Sequence, residues 1–242
     1  MRLWLVWYGN MWKAIEESAL SQWHSIWLIV DSKKADLDEL IDVEIDVVID
    51  FSSPESALKN LEFYAENNLK VVMGTTWWNQ HLDEVKELFN QSKWALIWSG
   101  NFSLWVILYN EMLRKASTIM NKFENYDVMA HEFHHKDKKD SPSWTLLQMW
   151  DIILENIDRK SKIQVNALSD RAIEEDEIHL SSTRWWFIPW THQAVFDSEF
   201  DSIELKHTAR NKWWFALGAI ECAKWLEDKQ GYFEIEDYIK TL

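Results

Sequence analysis

The residues best suited to chemistry lie between 132 and 145, where the sequence runs E-F-H-H-K-D-K-K-D-S-P-S-W-T. His134 or His135 could move a proton near neutral pH. The amides of a helix start near Ser143–Thr145 could hold a carboxylate, with positive charge added by Lys138. Adjacent histidines of a strand point to opposite faces, so no metal site is predicted. An exposed charged loop is the plainer alternative, and the residues by themselves favour it.

A second candidate site is the turn W-Y-G-N-M-W at 7–12, between an apolar stretch and a helical pattern. A dinucleotide-binding turn needs G-x-G-x-x-G, because glycines allow the tight turn and the close approach of the pyrophosphate. Only Gly9 is present, and Trp7 and Trp12 hold the outer positions. Asp31 follows about 20 residues later, where an acid binds ribose hydroxyls. The context favours cofactor binding, and a purely structural strand–turn–helix remains open.

Two shorter turns also follow apolar runs. They are G-T-T at 74–76 and N-F-S at 101–103. Ligands of open α/β sheets bind at the carboxyl ends of the strands, so both turns are candidate ligand contacts. Each is a weak signal, because such turns are common.

The elements that would position these turns alternate between strands and helices. Apolar runs indicate strands at 3–8, 25–30, 45–51, 71–76 and 94–98. Helical patterns lie between them at 11–22, 52–68 and 81–91. Strands that are apolar throughout and alternate with helices indicate a parallel sheet covered on both faces. We therefore predict a Rossmann-like dinucleotide-binding domain over 1–103.

The pattern changes after Asn101. A long helix is predicted at 103–122, a strand at 126–135, a helix at 145–157, and three strand-like runs at 177–187, 191–197 and 202–209. These elements predict a second α+β domain over 104–211 with an antiparallel or mixed sheet. Helices near 214–228 and 234–240 would return, within 212–242, to the first domain.

Composition excludes several functional classes. The net charge of −15 disfavours nucleic-acid and anionic-membrane partners. No apolar run reaches the roughly 20 residues of a membrane span. The N-terminus lacks the features of a signal peptide. The single cysteine, Cys222, excludes an intrachain disulfide, and a cytoplasmic location is expected.

Taken in order, the segments resemble the dihydrodipicolinate reductase (4-hydroxy-tetrahydrodipicolinate reductase) family over nearly the whole chain. The segments that carry the resemblance are VVIDFSSPES, GTT, NFSLWV, EFHHKDKKDSPSWT, PWTH and FALGAIECAKWL. The most specific is the histidine–lysine segment, which in the family is E-x-H-H-x-x-K-x-D-[AS]-P-S-G-T. Every fixed position matches except Trp144.

The resemblance implies an NADH- or NADPH-dependent reductase of a small cyclic dicarboxylate, typically a homotetramer built through the second domain. It implies that His134 is the catalytic acid/base and Lys138 the proton donor. His135, Ser143, Trp144 and Thr145 would bind the substrate. The residues that would bind the cofactor are Trp7, Tyr8, Gly9, Asn10, Met11, Trp12, Asp31, Gly74, Thr75, Thr76, Ser99, Gly100, Asn101 and Phe102.

The departures from the family are mostly tryptophans. The chain has 18 tryptophans and 5 glycines, whereas about 17 glycines would be usual. We hypothesise that most of these tryptophans are glycine in the natural protein, as translation with the wrong genetic code would produce. The eight tryptophan-for-glycine positions judged most secure are Trp7, Trp12, Trp77, Trp105, Trp144, Trp186, Trp190 and Trp214.

Two alternatives remain open at this point. If the tryptophans are real, the chain could be a catalytically dead relative that acts as a binding or assembly subunit, because indoles would fill the cofactor and substrate turns. It could also be a related dehydrogenase of amino-acid synthesis, such as an aspartate or homoserine dehydrogenase. The segment 132–145 disfavours this second alternative.

Overall fold

The computed structural model describes residues 1–6, 10–30, 37, 44–76, 78–91, 93–165, 167–211 and 213–242. The chain divides into two compact units. The first comprises Met1–Leu104 together with Lys212–Leu242, and the second comprises Trp105–Asn211. Across the part of the chain described, no helix has the length and apolar character needed to cross a bilayer.

The first unit is built on a six-stranded parallel sheet of order β11-β5-β4-β3-β1-β2. Its strands are β1 (Arg2–Val6), β2 (Ser25–Val30), β3 (Val47–Asp50), β4 (Val71–Met73), β5 (Ala95–Trp98) and β11 (Gly231–Glu234). Its helices are α1 (Asn10–Ser21), α2 (Pro54–Glu66), α3 (Leu82–Gln91), α6 (Trp213–Trp225) and α7 (Ile235–Ile239). Every residue of β3 and β4 is buried, as expected for strands covered on both faces.

Helix α6 approaches the backbone of the first unit very closely at Gly218. A Cβ atom at this position would lie 1.9 Å from the carbonyl oxygen of Phe102. Glycine is therefore required there by the packing, and this contact fixes the returning helix beside the turn that follows β5.

The second unit is built on a five-stranded sheet of order β10-β9-β6-β8-β7. Its strands are β6 (Asp127–His134), β7 (Lys162–Gln164), β8 (Glu177–Arg184), β9 (Trp190–Asp197) and β10 (Ser202–Ala209), and its helices are α4 (Leu104–Met120) and α5 (Trp144–Asn156). The pairs β6–β8 and β7–β8 are parallel, and the pairs β6–β9 and β9–β10 are antiparallel. Residues of α4 and α5 pack on one face of this sheet in a single apolar cluster.

The predicted fold class is confirmed: a Rossmann-like parallel sheet and a second α+β unit with a mixed sheet. Two strands were not predicted. Strand β7 has three residues and β11 has four, too few for a periodic pattern to stand out. The segment 212–242 was interpreted as helical only, whereas β11 runs parallel to β5 at the edge of the first sheet.

The tryptophans differ sharply in environment. Trp23 has φ 64° and is 95% exposed, and Trp186 has φ 32° and is 62% exposed. Such left-handed backbone suits glycine rather than an indole. By contrast, the indole nitrogens of Trp78 and Trp98 both donate to the carbonyl oxygen of Thr75. For exposed tryptophans such as Trp23 and Trp186, glycine in the natural protein stays a hypothesis. Trp78 and Trp98 behave as ordinary aromatic residues.

Candidate active site

A buried carboxylate lies at the first position of the segment 132–145. Glu132, on β6, has no solvent exposure. Its Oε1 atom accepts hydrogen bonds from the Ser143 amide at 3.0 Å, Ser182 Oγ at 2.9 Å and Arg184 Nη2 at 2.8 Å. Its Oε2 atom accepts a short hydrogen bond from Ser143 Oγ. One carboxylate thereby joins strands β6 and β8 to the start of helix α5.

Two histidines converge on the same carboxylate oxygen. His134 Nε2 lies 3.3 Å from Glu132 Oε2, and His192 Nε2 lies 3.5 Å from it. Glu132 and His134 are two residues apart on β6 and share a face, and His192 is the partner of Glu132 on β9. Both imidazoles are buried, with exposures of 2% and 4%. Neither Nδ1 atom has a hydrogen-bond partner among the described residues.

The charge state of this cluster follows from its contacts. Burial would raise the pKa of Glu132, but hydrogen bonds from His134, His192, Ser143 and Arg184 outweigh burial and hold it well below the ordinary 4.5. Burial lowers the pKa of His192 below 6.5 and outweighs the hydrogen bond that its imidazole donates to Glu132. Glu132 is therefore an anion at neutral pH and His192 is neutral.

Lys138 and His135 lie in the turn after β6. Lys138 Nζ makes a two-pronged ion pair with Asp140, at 2.8 and 2.9 Å. His135 Nδ1 accepts from the Asp137 amide at 3.3 Å, and its ring meets the Trp190 ring edge-on with 5.2 Å between centroids. Both side chains are half-buried, so both can be reached by a ligand.

The predicted carboxylate-binding turn is the start of α5. Ser143 is the N-cap residue, and its hydroxyl accepts from the Leu146 amide. Its own amide and hydroxyl proton are committed to Glu132. The amides of Trp144 and Thr145 come next, and the first amides of a helix have no intrahelical acceptor. The Trp144 side chain is 69% exposed, so the start of α5 lies at the surface. The amides of Trp144 and Thr145 are therefore the backbone groups suited to binding an anion.

Glu132, His134 and His192 are also the trio of described residues whose ligand atoms lie within 4.8 Å of one another. Two observations indicate that this trio is a proton-transfer cluster rather than a binding site for a divalent cation. The Arg184 guanidinium already neutralises the carboxylate. Metal-bound histidines nearly always donate their second ring N–H, whereas both Nδ1 atoms here have no partner among the described residues.

The predicted cofactor contacts of the first unit lie at the carboxyl ends of its strands. Backbone hydrogen bonds tie these ends together, from Phe51 to Val6, from Gly74 to Asp50 and from Ser99 to Met73. A Cβ atom at Gly74 would lie 2.1 Å from the Phe51 ring. The backbone packs so closely against this ring that only glycine fits at position 74.

The polar side chains of this edge brace the turns themselves. Thr75 Oγ1 donates to the Ser52 carbonyl, and Ser99 Oγ donates to the Asn101 carbonyl. Phe102 is buried and meets the Phe51 ring edge-on. The edge therefore offers a ligand mainly backbone groups and the start of α1 at Asn10, a donor set that fits the phosphates of a dinucleotide.

Some predicted cofactor residues lie outside the described residues. These are Trp7, Tyr8, Gly9 and Asp31. Asn10, Met11 and Trp12 form the first turn of α1. Thr76 and Gly100 lie in the turns after β4 and β5, where a Cβ atom at Gly100 would be 3.0 Å from Thr76 Cγ2.

Comparison with known proteins decides the family. The family model described as dihydrodipicolinate reductase, N-terminus matches residues 14–102, and the one described as dihydrodipicolinate reductase, C-terminus matches residues 106–239. The chain belongs to the dihydrodipicolinate reductase family. The predicted resemblance is confirmed.

Named relatives agree with this family over long alignments. A 4-hydroxy-tetrahydrodipicolinate reductase of Christiangramia forsetii is 37% identical over 242 residues, which is 100% of this chain and 99% of the relative. The protein of the same name from Clostridium novyi is 33% identical over 83% of this chain and 79% of its own. The solved dipicolinate-bound dihydrodipicolinate reductase of Paenisporosarcina sp. TG-14 has a TM-score of 0.77, with 20% identity and 97% coverage of both chains.

The residues that surround His134 were not foreseen from the sequence. Glu132 stood inside the quoted segment without a role, and Arg184 and His192 were not singled out. The spacing of Glu132 and His134 could have shown that they share a strand face. Only the three-dimensional pairing of β6 with β8 and β9 brings Arg184 and His192 to the same carboxylate.

Proposed function

We propose that this chain catalyses the NADH- or NADPH-dependent reduction of 4-hydroxy-tetrahydrodipicolinate to tetrahydrodipicolinate, in lysine and diaminopimelate synthesis. The observation that carries the proposal is the segment 132–145, in which family-type residues surround a buried ionic cluster. The full-length relationship to the Christiangramia forsetii reductase supports the same activity.

The nicotinamide cofactor, when bound, supplies the hydride. Gly74–Thr76 and Ser99–Phe102 would contact it at the carboxyl edge of the first sheet, with the turn at 7–12 and Asp31. Their task is to bind and orient, because the hydroxyls of Thr75 and Ser99 are already committed to backbone carbonyls. Backbone approach, rather than side-chain chemistry, is what this edge provides.

The protons and the charge for the substrate would come from the second unit. His134 would act as the acid/base and Lys138 as the proton donor. His135 would contact the substrate, while the helix start at Ser143–Thr145 would hold one of its carboxylates. An ammonium group and free helix-start amides both stabilise carboxylates, so a dicarboxylate is the fitting class of substrate.

The assembly and location are proposed on the resemblance alone. We propose a homotetramer formed through the second unit, in the cytoplasm. Light scattering on the purified chain would check the tetramer, and a monomer at assay concentrations would contradict it.

The decisive test is cofactor oxidation with enzymatically generated substrate. We would compare the chain as written with a version in which glycine replaces tryptophan at the eight positions. His134→Gln should lower kcat by about a hundredfold or more, the usual contribution of a general acid/base. His131→Gln is the matched control, because His131 is on the same strand but on the opposite face.

The outcomes separate the activity from the tryptophan hypothesis. If only the glycine version turns over and His134→Gln slows it, both stand. If the chain as written turns over equally well, the activity stands and the tryptophan hypothesis fails. If the glycine version folds but does not reduce the substrate, the proposed activity fails, and a dead relative or another dehydrogenase takes its place.

A further inference from the structure

The two nitrogens of His134 have very different surroundings. Nε2 lies 3.3 Å from the Glu132 carboxylate, whereas Nδ1 is buried without a partner among the described residues. A neutral imidazole carries one proton, and that proton is most stable on the nitrogen that has an acceptor. An unpaired buried N–H would be costly, so the neutral tautomer of His134 has its proton on Nε2.

The same reasoning applies to His192, which supports the arrangement from the neighbouring strand. Its Nε2 atom lies 3.2 Å from Ser143 Oγ, and its Nδ1 atom also lacks a partner among the described residues. Ser143 gives its hydroxyl proton to Glu132, and its oxygen, which already accepts from the Leu146 amide, has a second lone pair that can accept from His192. The two Nε2 atoms, 3.3 Å apart, are then two donors that converge on one anionic site.

We propose that Glu132 is the positioning residue of the reductase site: it fixes His134 in the Nε2–H tautomer, leaves Nδ1 as the atom that exchanges a proton, and holds the substrate-carboxylate turn at Ser143. The inference rests on the proposed function, which it deepens.

The proton balance of this arrangement is simple. When His134 takes a proton from water at Nδ1, it becomes an imidazolium whose Nε2–H stays directed at the Glu132 anion. When it gives the proton back, the Nδ1–H bond breaks, its electron pair stays on nitrogen, and the proton joins the substrate. The neutral Nε2–H tautomer is thereby restored, and no further acceptor is needed.

Several charged or titratable groups face the histidine pair. Glu132 of β6 supplies a negative charge, and Arg184 of β8 supplies a positive charge that is paired with the same carboxylate. His207 of β10 and Lys138 each act electrostatically on His192. Glu132 is the single anion among these four groups, so removing its charge leaves the imidazolium without its anionic partner.

The first experiment needs no variant and no turnover. Histidine-selective ¹⁵N NMR of the wild-type chain distinguishes the Nε2–H from the Nδ1–H tautomer. His134→Gln identifies the His134 signals by their loss. Neutral His134 should be the Nε2–H form, and the Nδ1–H form or an even mixture of both overturns the proposal.

The second experiment compares Glu132→Gln, Glu132→Asp and the surface control Glu155→Gln. Without the carboxylate, His134 should have a weaker preference for the Nε2–H tautomer, and its ¹⁵N spectrum should show a larger share of the Nδ1–H form. We expect kcat to fall about tenfold to a hundredfold, with KM changed far less. Glu132→Asp keeps the charge and should keep the Nε2–H form, as should Glu155→Gln.

The results also separate this inference from the proposed function. If Glu132→Gln folds and its His134 tautomer and kcat match wild type, the positioning role is wrong although the reductase activity stands. If Glu132→Gln does not fold, the tautomer of His134 in the wild type and in Glu132→Asp tests the positioning role. The Nδ1–H form in the wild type would overturn it. If the wild type does not reduce the substrate but His134 is the Nε2–H form, the arrangement stands and the proposed function fails.

Discussion

Each unit has a carboxylate without any solvent exposure, and these two carboxylates, Asp50 and Glu132, have partners of different charge. Asp50, at the end of β3, has no exposure and accepts from the Ser52 amide, Asn60 Nδ2 and Tyr64 OH, at 2.6, 2.9 and 2.8 Å. All of these donors are neutral. Glu132 is equally buried but has the Arg184 guanidinium at 2.8 Å.

This difference reverses the direction of the pKa shift. For Asp50, burial raises the pKa above 3.8, and the hydrogen bonds from Ser52, Asn60 and Tyr64 only reduce that rise. For Glu132, hydrogen bonds from histidines, a serine and a guanidinium overcome burial. Neutral donors are enough to position a buried carboxyl, whereas charged partners are needed to keep it ionised. The first unit thus uses its carboxyl for structure, and the second keeps an anion where a proton is to be moved.

The largest effect should come from Glu132→Gln, which leaves the half-buried Arg184 guanidinium against a neutral amide. Breaking a buried ion pair from one side costs about 3–5 kcal/mol. Because the folded pKa is lowered, the carboxylate stabilises the protein above its ordinary pKa of 4.5, and this contribution is lost as pH falls. The loss in the variant should therefore be greatest at neutral pH. Urea unfolding at several pH values measures it, with Glu155→Gln as the exposed control worth about 0.5 kcal/mol.

Asp50→Asn should have a smaller effect with the opposite pH dependence. An amide can keep some of the hydrogen bonds from the neutral donors, so we expect a loss of about 1–2 kcal/mol. The folded pKa of Asp50 is raised, so its stabilising contribution is full below 3.8 and declines as pH rises through the folded value. The penalty should grow as the solution is made more acidic. If the loss of unfolding free energy changed with pH in the same direction for Asp50→Asn and Glu132→Gln, the contrast between the two carboxylates would be wrong.

Tyr64→Phe should have the smallest effect. It removes one neutral donor from Asp50, and the net worth of such a hydrogen bond is about 1 kcal/mol. Tyr126→Phe is the matched control, because the Tyr126 hydroxyl donates to the exposed carboxylate of Asp201. Thermal unfolding of both variants compares a buried with an exposed hydroxyl. A larger loss for Tyr126→Phe would mean that burial does not set the strength of these contacts.

Sequence patterns predicted most of the fold because they are local. Apolar runs such as 45–51 and the helical stripe in 52–68 each signal one element, and their alternation signals the parallel sheet. The mixed sheet was foreseen only as antiparallel or mixed, since the partners of a strand are not written in its own residues. Strand β11 was missed for the same reason, because β5 supplies its hydrogen bonds from far away in sequence.

The candidate site was predictable only in part. His134, Lys138 and Ser143 lie within one short segment, so a sequence motif reveals them together. The anion that joins them was not assigned, because Arg184 and His192 come from two later strands that only the folded sheet brings to Glu132. Chemistry held on one segment can be foreseen from sequence, whereas the charge balance around it depends on long-range pairing.

The last strand of the first sheet has a consequence for the order in which the protein is made. On the ribosome, every segment of the second unit is synthesised before Gly231–Glu234. The second unit can therefore finish folding while the first still lacks the strand that pairs with β5. Until Gly231–Glu234 has been made, β5 presents an open strand edge that can pair with other nascent chains. We expect the risk of aggregation through this edge to end once Gly231–Glu234 has paired with β5.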